Sequence, residues 1–279
     1  MILNNYHTHT NFCDGSEESE KYIEAAIKKG LGSLGFSGHA PLSFENTWSI
    51  KENNLQNYCN TIKDLKEKYS KQIKIFLSLE IDYIPDITVD FSELISSCDL
   101  DYTIGSVHLV KNINKKDLWF IDGPEKGYIA GLQNVFDNNI KLAVQTYYNQ
   151  ICEMAKTQKP DIIGHFDKVK MNNKGRFFNE DEKWYNEIVT KTLKYISKTK
   201  SIIEVNTRGV YKHKTDSLFP SVSILCQCYK LNIPLTINSD AHKPDELKNY
   251  FKETVLILKE IGYKEILYLT DNGWQSQLI

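Results

Sequence analysis

Six of the seven histidines in this 279-residue chain fall at or just after the end of a short apolar run: His7 and His9, His39, His108, His165 and His242. Carboxylates arrive at the same kind of place, with Glu80 in Leu79-Glu80-Ile81-Asp82, Asp167 in Gly164-His165-Phe166-Asp167, and Asp240 in Asn238-Ser239-Asp240-Ala241-His242. Imidazole and carboxylate without a Cys-x-x-Cys pair suit Zn²⁺, Mn²⁺ or Fe²⁺ rather than a soft metal or a cluster. In an extended chain residues i and i+2 point to one side, so His7 and His9 can reach the same ion. A single His-x-His is weak evidence, because composition alone produces such pairs. The coincidence carries the metal reading: His7-x-His9 and Asp240-x-His242, with His39, His108, His165 and Glu80, all at the ends of apolar runs.

Several of these residues also admit a plainer role. Glu80 follows Ile75-Phe76-Leu77-Ser78-Leu79, where an unpaired buried carboxylate is costly, and so it needs a cation. His39 in Gly38-His39-Ala40-Pro41 could occupy a turn, and Asp14 in Cys13-Asp14-Gly15 could be an ordinary Asp-Gly turn. Asp240 could cap a helix, but Asp245 already serves that purpose. His213, between Lys212 and Lys214, reads as solvated. Arg208, directly after Ile202–Asn206, suits bidentate binding of an oxyanion such as phosphate if a metal cluster lies beside it.

The elements that must position these residues alternate along the whole chain. Strands are expected at Ile2–His7, Ser33–Ser37, Ile73–Ile81, Tyr102–Val107, Asp161–His165, Ile202–Asn206 and Leu235–Asn238. Helices are expected from an N-cap at Ser16 to a left-handed Gly30, and near Asn53–Tyr69, Lys141–Thr157, Glu180–Lys198, Ser221–Leu231 and Glu246–Ile261, the last ending at Gly262. Lys111–Lys126 and Lys168–Asp181 read as long loops. Repeated strand–helix units imply a mainly parallel sheet, and in a barrel of such units the strand C-termini converge on one face where catalytic groups collect.

Composition narrows the function class. Thirty-four Lys and Arg against 36 Asp and Glu give a net charge of −2, with no basic run of the kind that attracts long nucleic acids. There is no run of the 18 or so apolar residues that a membrane helix needs, and the first residues lack a secretory pattern, so a cytoplasmic protein is expected. The six cysteines are scattered, as free thiols would be.

Taken in order, His7-x-His9, Asp14, His39, Glu80, His108, His165 and Asp240-x-His242 resemble the motif series of the polymerase and histidinol phosphatase (PHP) family over essentially the whole chain. The likeness is strongest to its monofunctional histidinol-phosphate phosphatases. It is carried locally by Gly38-His39-Ala40-Pro41, Gly105-Ser106-Val107-His108, Gly164-His165-Phe166-Asp167, Glu204-Val205-Asn206-Thr207 and Asn238-Ser239-Asp240-Ala241-His242. The resemblance implies a single domain over residues 1–279, a distorted, TIM-barrel-like (β/α)7 barrel, and three divalent ions (Zn, Mn or Fe) at its C-terminal mouth. One ion would be held by His7, His9, Glu80 and Asp240, with Glu80 bridging to a second on His108 and His165, and a third on Asp14, His39 and His242. Asp240 or His242 would move the proton. Arg208 and Lys170 are the candidate phosphate anchors, and Trp48 a wall for an imidazole ring.

The activity so implied is hydrolysis of L-histidinol phosphate to L-histidinol and phosphate, a small-molecule phosphomonoester reaction of histidine biosynthesis without nucleic-acid or membrane partners. A phosphodiesterase or 3′–5′ exonuclease acting on nucleotides is the alternative within the family. An amidohydrolase-like barrel also begins with His-x-His, but such sites often bridge two metals with a carboxylated lysine, where Glu80 stands here. A metal-storage module is the non-enzymatic reading.

Overall fold

The computed structural model describes residues 3–279. Four strands open the chain, β1 (Leu3–Asn5), β2 (Leu31–His39), β3 (Lys74–Asp82) and β4 (Tyr102–Ser106), interleaved with α1 (Ser19–Lys28), α2 (Leu55–Lys68) and α3 (Phe91–Cys98). A small hairpin of β5 (Leu109–Lys111) and β6 (Leu118–Phe120) leads into α4 (Glu125–Phe136) and α5 (Ile140–Thr157). Then come β7 (Ile162–Ile163), α6 (Lys183–Ile196), β8 (Ile202–Asn206), the short α7 (Arg208–Tyr211), α8 (Val222–Lys230), β9 (Leu235–Asn238), α9 (Phe251–Ile261) and a terminal hairpin of β10 (Glu265–Thr270) and β11 (Gly273–Leu278).

Seven strands form one sheet in the order β1-β2-β3-β4-β7-β8-β9, every neighbouring pair parallel. The seam between first and last strands is closed beyond their ends by a parallel bridge from Thr8 to Ala241. There the His9 N–H donates to the Ala241 carbonyl at 2.8 Å and the Ala241 N–H to that of His7 at 3.1 Å. This is the expected seven-stranded barrel.

Strand period decides which side chains enter it. Along β3, Ile75, Leu77, Leu79 and Ile81 join the large apolar layer beneath the helices, where Tyr58, Cys59 and Ile62 of α2 also lie. The alternate residue Phe76 instead packs inside the barrel with Tyr6, Tyr102, Ile104, Ile162 and Ile202. Beyond Phe76 the same inward row continues as Ser78, Glu80 and Asp82, so one strand supplies apolar filling at its start and acids at its end. The terminal hairpin covers the apolar end. Leu269 joins this inner cluster, its N–H donates to the Tyr6 hydroxyl at 2.8 Å, and Trp274 meets the Tyr6 ring edge-on at 5.3 Å.

Several elements differ from the sequence reading. Ile2, the expected start of the first strand, lies outside the described residues. Helix α1 starts after Glu18 rather than at Ser16, because the Glu17 carbonyl, which an earlier start would use within the helix, accepts from the Asn11 N–H at 2.9 Å. Gly30 does end it in the left-handed region, as Gly262 ends α9, with φ of 70° and 117°. The last helix begins at Phe251 instead of Glu246, since Pro244–Glu246 form a 3₁₀ turn and Tyr250 has φ 64°. The expected loop Lys111–Lys126 contains the β5–β6 hairpin and the start of α4, which turn Phe120 and Asp122 toward the barrel mouth. Lys168–Asp181 is a loop beyond a 3₁₀ turn and ties to that hairpin segment, Asn172 donating to the carbonyls of Ile121 and Gly123.

At the apolar end, a Cβ on Gly35 would overlap the Tyr102 hydroxyl and crowd the Tyr6 backbone. Gly35→Ala is therefore expected to destabilise the fold by about 1–3 kcal/mol through overpacking. Thermal unfolding should record this as a loss of roughly 2–4 °C per kcal/mol.

Candidate metal centre

The register of β2 on β3 sets His39 beside Glu80. His7 and His9 follow β1 on the segment that closes the seam against Ala241, which brings Asp240 alongside both. Asp14 reaches the same place because the turn at Gly15 packs against the His9–Thr10 peptide so closely that a Cβ would collide with it. Asp240 occupies the left-handed region at φ 51°, an uncommon backbone for a residue other than glycine and of the kind that gathers at functional sites.

All nine residues expected to ligate metal converge. One oxygen of Glu80 lies 3.2 Å from Nε2 of His7, 3.5 Å from Nε2 of His9 and 3.1 Å from Nδ1 of His39. The other lies 2.8 Å from Nε2 of His165 and 3.7 Å from Nε2 of His108, and these two nitrogens are 3.1 Å apart. Oδ1 of Asp240 stands 3.4 Å from His9 Nε2 and 3.4 Å from His242 Nδ1. Asp14 is 3.1 Å from His242 Nε2, 3.7 Å from His9 Nδ1 and 3.8 Å from His39 Nε2.

The donor set fits divalent metal ions. Among the described residues, Nε2 of His7, Nε2 of His9 and Nδ1 of His39 are buried without a hydrogen-bond partner, although each faces the same carboxylate oxygen. Donors about 2.1 Å from one tetrahedral ion lie roughly 3.4 Å apart, the spacing seen here. Burial, outweighing the neighbouring acids, holds His9, His39 and His165 below the usual imidazole range and so favours neutral rings with free lone pairs. Burial opposes ionisation of Glu80 and Asp240 too, but His7 above all holds both carboxylates well below their usual range.

The mouth above these residues is lined by Trp48, Phe120, Asp122, Arg208 and Lys214. Trp48 stacks on Phe120 at 5.0 Å and 18° between planes. Arg208 donates to the Asp240 carbonyl at 2.7 Å and pairs with Glu246 at 3.5 Å. Lys170, expected as a phosphate anchor, is not at the mouth. Its ammonium is saturated by Asp167 at 2.6 Å, Ser217 at 2.9 Å and the Leu218 carbonyl at 3.0 Å. Asp167 likewise stands apart from the centre, and burial pushes its carboxyl up to about 6. Two lysines that sequence reasoning had not singled out stand near the mouth, Lys168 and Lys214, on either side of Asp122 at 3.2 and 3.9 Å. His213 is exposed, as expected.

Two orienting acids were also missed. Glu204 accepts from Nδ1 of His7 at 2.7 Å, from the His165 N–H at 2.8 Å, and from Asn206 and Asn238 at 3.0 Å each. Asp82 accepts from Nδ1 of His108 at 2.8 Å. Each fixes an imidazole so that Nε2 presents its lone pair to the centre, the arrangement by which outer carboxylates orient metal-binding histidines. The cost of burying a carboxylate inside an apolar strand, applied to Glu80, would have found Glu204 in Ile202-Ile203-Glu204-Val205. Glu204→Gln is expected to weaken divalent-metal retention by about 10–100-fold, read by metal titration of the purified protein with the far-ultraviolet spectrum unchanged.

Comparison with known proteins accords with the barrel fold. The PHP domain profile matches residues 5–208, well over half of the chain. The histidinol-phosphatase of Bacillus subtilis is 26% identical over 258 residues, covering 86% of this chain and 94% of that protein. A solved structure from Listeria monocytogenes is 21% identical with a TM-score of 0.76, covering 89% of this chain and 99% of its own. The histidinol phosphate phosphatase of Lactococcus lactis, solved with zinc, L-histidinol and phosphate, is 20% identical with a TM-score of 0.71 and 98% of each chain covered. With its seven-stranded barrel and a profile match across most of its length, this chain belongs to the PHP family.

Proposed function

We propose that the protein is a metal-dependent phosphomonoesterase that hydrolyses L-histidinol phosphate to L-histidinol and phosphate. The observation that carries this reading is the set of unpartnered imidazole nitrogens around Glu80, lying beneath a mouth that is cationic on one side and aromatic on another. The naming of the Bacillus and Lactococcus relatives supports the choice of substrate. A cytoplasmic location is in keeping with six free thiols and with the absence, among the described residues, of any helix long and apolar enough to cross a membrane.

In this reading His7, His9, Glu80 and Asp240 hold one ion, Glu80 with His108 and His165 a second, and Asp14, His39 and His242 a third, with zinc, manganese or iron as the metals. His9 lies close enough to Asp14 to serve the third group as well as the first. Bound divalent ions supply charge for the phosphate oxygens and acidify water near neutral pH.

The chain's own groups do the rest. Arg208 and Lys214 offer cationic donors to the phosphate at the rim, stabilising its charge as the ester bond breaks. The Trp48–Phe120 pair gives an imidazole ring a flat apolar surface and excludes water from that side. Asp240 or His242, whose Oδ1 and Nδ1 lie 3.4 Å apart, would take the proton that water loses as it attacks phosphorus and give it to the leaving alkoxide.

The test compares turnover of L-histidinol phosphate, bis(p-nitrophenyl) phosphate and a short oligonucleotide by protein of measured metal content. Hydrolysis of the monoester is expected, and activity confined to the diesters would defeat the reading. His9→Ala and Glu80→Ala should each abolish hydrolysis while the protein stays folded; full activity of Glu80→Ala at unchanged metal content would remove its bridging role.

A further inference from the structure

We propose that Glu246 is a positioning residue for the phosphate anchor: it holds one edge of the Arg208 guanidinium so that the opposite edge faces the phosphate. This rests on the phosphomonoesterase reading above and gives a role to a buried carboxylate that belongs to none of the metal-binding clusters.

Glu246 ends the 3₁₀ turn Pro244–Glu246 and has 4% of its surface exposed. Arg208 lines the mouth and Glu246 stands behind it, outside the lining. Oε2 of Glu246 accepts the His242 N–H at 2.9 Å and lies 3.5 Å from Arg208 Nη1, while Oε1 lies 2.8 Å from Lys212 Nζ. One carboxylate thus ties the segment that carries His242 to α7, which begins at Arg208. Tyr211, at the end of α7, completes the clamp. Its hydroxyl accepts from Nη1 at 3.4 Å and donates to the Ser239 carbonyl at 2.9 Å.

Among the described residues, every hydrogen bond and ion pair of the Arg208 side chain falls on Nη1, with the Asp240 carbonyl at 2.7 Å, Tyr211 and Glu246 as its partners. Nε and Nη2, which form the opposite edge of the planar fork, are left for an oxyanion. An arginine without such a brace gives up rotamer freedom when it binds, whereas one held at a single nitrogen presents a donor edge already aimed. The sign of the charge separates aiming from attraction. A carboxylate beside a cation lowers the positive potential that the cation offers to an anion, so Glu246 weakens the pull of the mouth on phosphate while it orients the donor.

The test measures binding of inorganic phosphate and of L-histidinol to the metal-loaded protein by calorimetry. Glu246→Gln is expected to weaken phosphate by about tenfold, the worth of one charge-assisted hydrogen bond, with metal content and L-histidinol affinity unchanged. An acid that only neutralised the mouth would give tighter phosphate binding on removal, and either that result or an unchanged affinity overturns the proposal. Because Glu246 acts through Arg208, the double variant with Arg208→Gln should bind phosphate no more weakly than Arg208→Gln alone, and additive losses count equally against it. An equal loss for phosphate and L-histidinol marks a merely structural role and overturns it too. Glu246→Asp keeps the charge but withdraws the carboxylate by one methylene; it must also weaken phosphate, which keeps the proposal refutable should the glutamine variant not fold. Wild-type protein that neither binds phosphate nor hydrolyses the monoester overturns the underlying reading, whereas an active wild type matched by Glu246→Gln overturns the brace alone.

Discussion

A carboxylate with 1% of its surface exposed, facing five imidazoles, is the constraint around which this molecule is organised. Glu80 could not remain charged at that depth without compensation, since an isolated buried carboxylate is heavily penalised. The compensation comes from segments far apart in sequence: His7 and His9 beyond β1, His39 on β2, His108 beyond β4 and His165 beyond β7. Several of the nitrogens that meet it have no other partner. Protons on some of these rings relieve the repulsion only in part, and divalent ions relieve it for the whole group. The barrel's closure, its register and the turn at Gly15 all serve to bring these donors to one point.

The same strands build both the rigid and the reactive parts. Inward positions begin as Phe76, Tyr102, Ile104 and Ile202 and end as Glu80, Ser106 and Glu204, so each acid stands on a packed apolar layer. Outward positions remain aliphatic and hold the helices. A side chain anchored this way loses little further freedom on binding an ion, which is why a site on strands is more precise than one carried by loops. The loops contribute the mouth instead, where substrates differ and precision matters less.

Legibility in the sequence followed this division. The strands Ile202–Asn206 and Leu235–Asn238 could be read to the residue, because β-branched runs end there at polar turns. The side chains that converge around Glu80 were legible because histidine is scarce in this chain and its placement at the ends of apolar runs has no cheap alternative explanation. The mouth was not legible. Lys168 and Lys170 are two residues apart in a stretch of similar character and both are buried, and only tertiary packing turns the first to Asp122 and the second to Asp167 and Ser217. Asp122 and Phe120 sat in a segment whose charged, Asn-rich composition concealed a hairpin. Helices α3 and α4 and the terminal hairpin escaped for a related reason, since their short apolar patterns take on meaning only against the surfaces they cover.

The terminal hairpin bears on traffic through the barrel. With Tyr6, Tyr102, Leu269 and Trp274 packed across the far end, the floor is sealed and a small molecule must come and go through one doorway. In the proposed reaction a phosphate ester enters headfirst, and its alcohol, nearer the threshold, must step out before the phosphate can follow. Release is therefore ordered by the architecture, and free phosphate in the surroundings competes with the next substrate for the vacated floor.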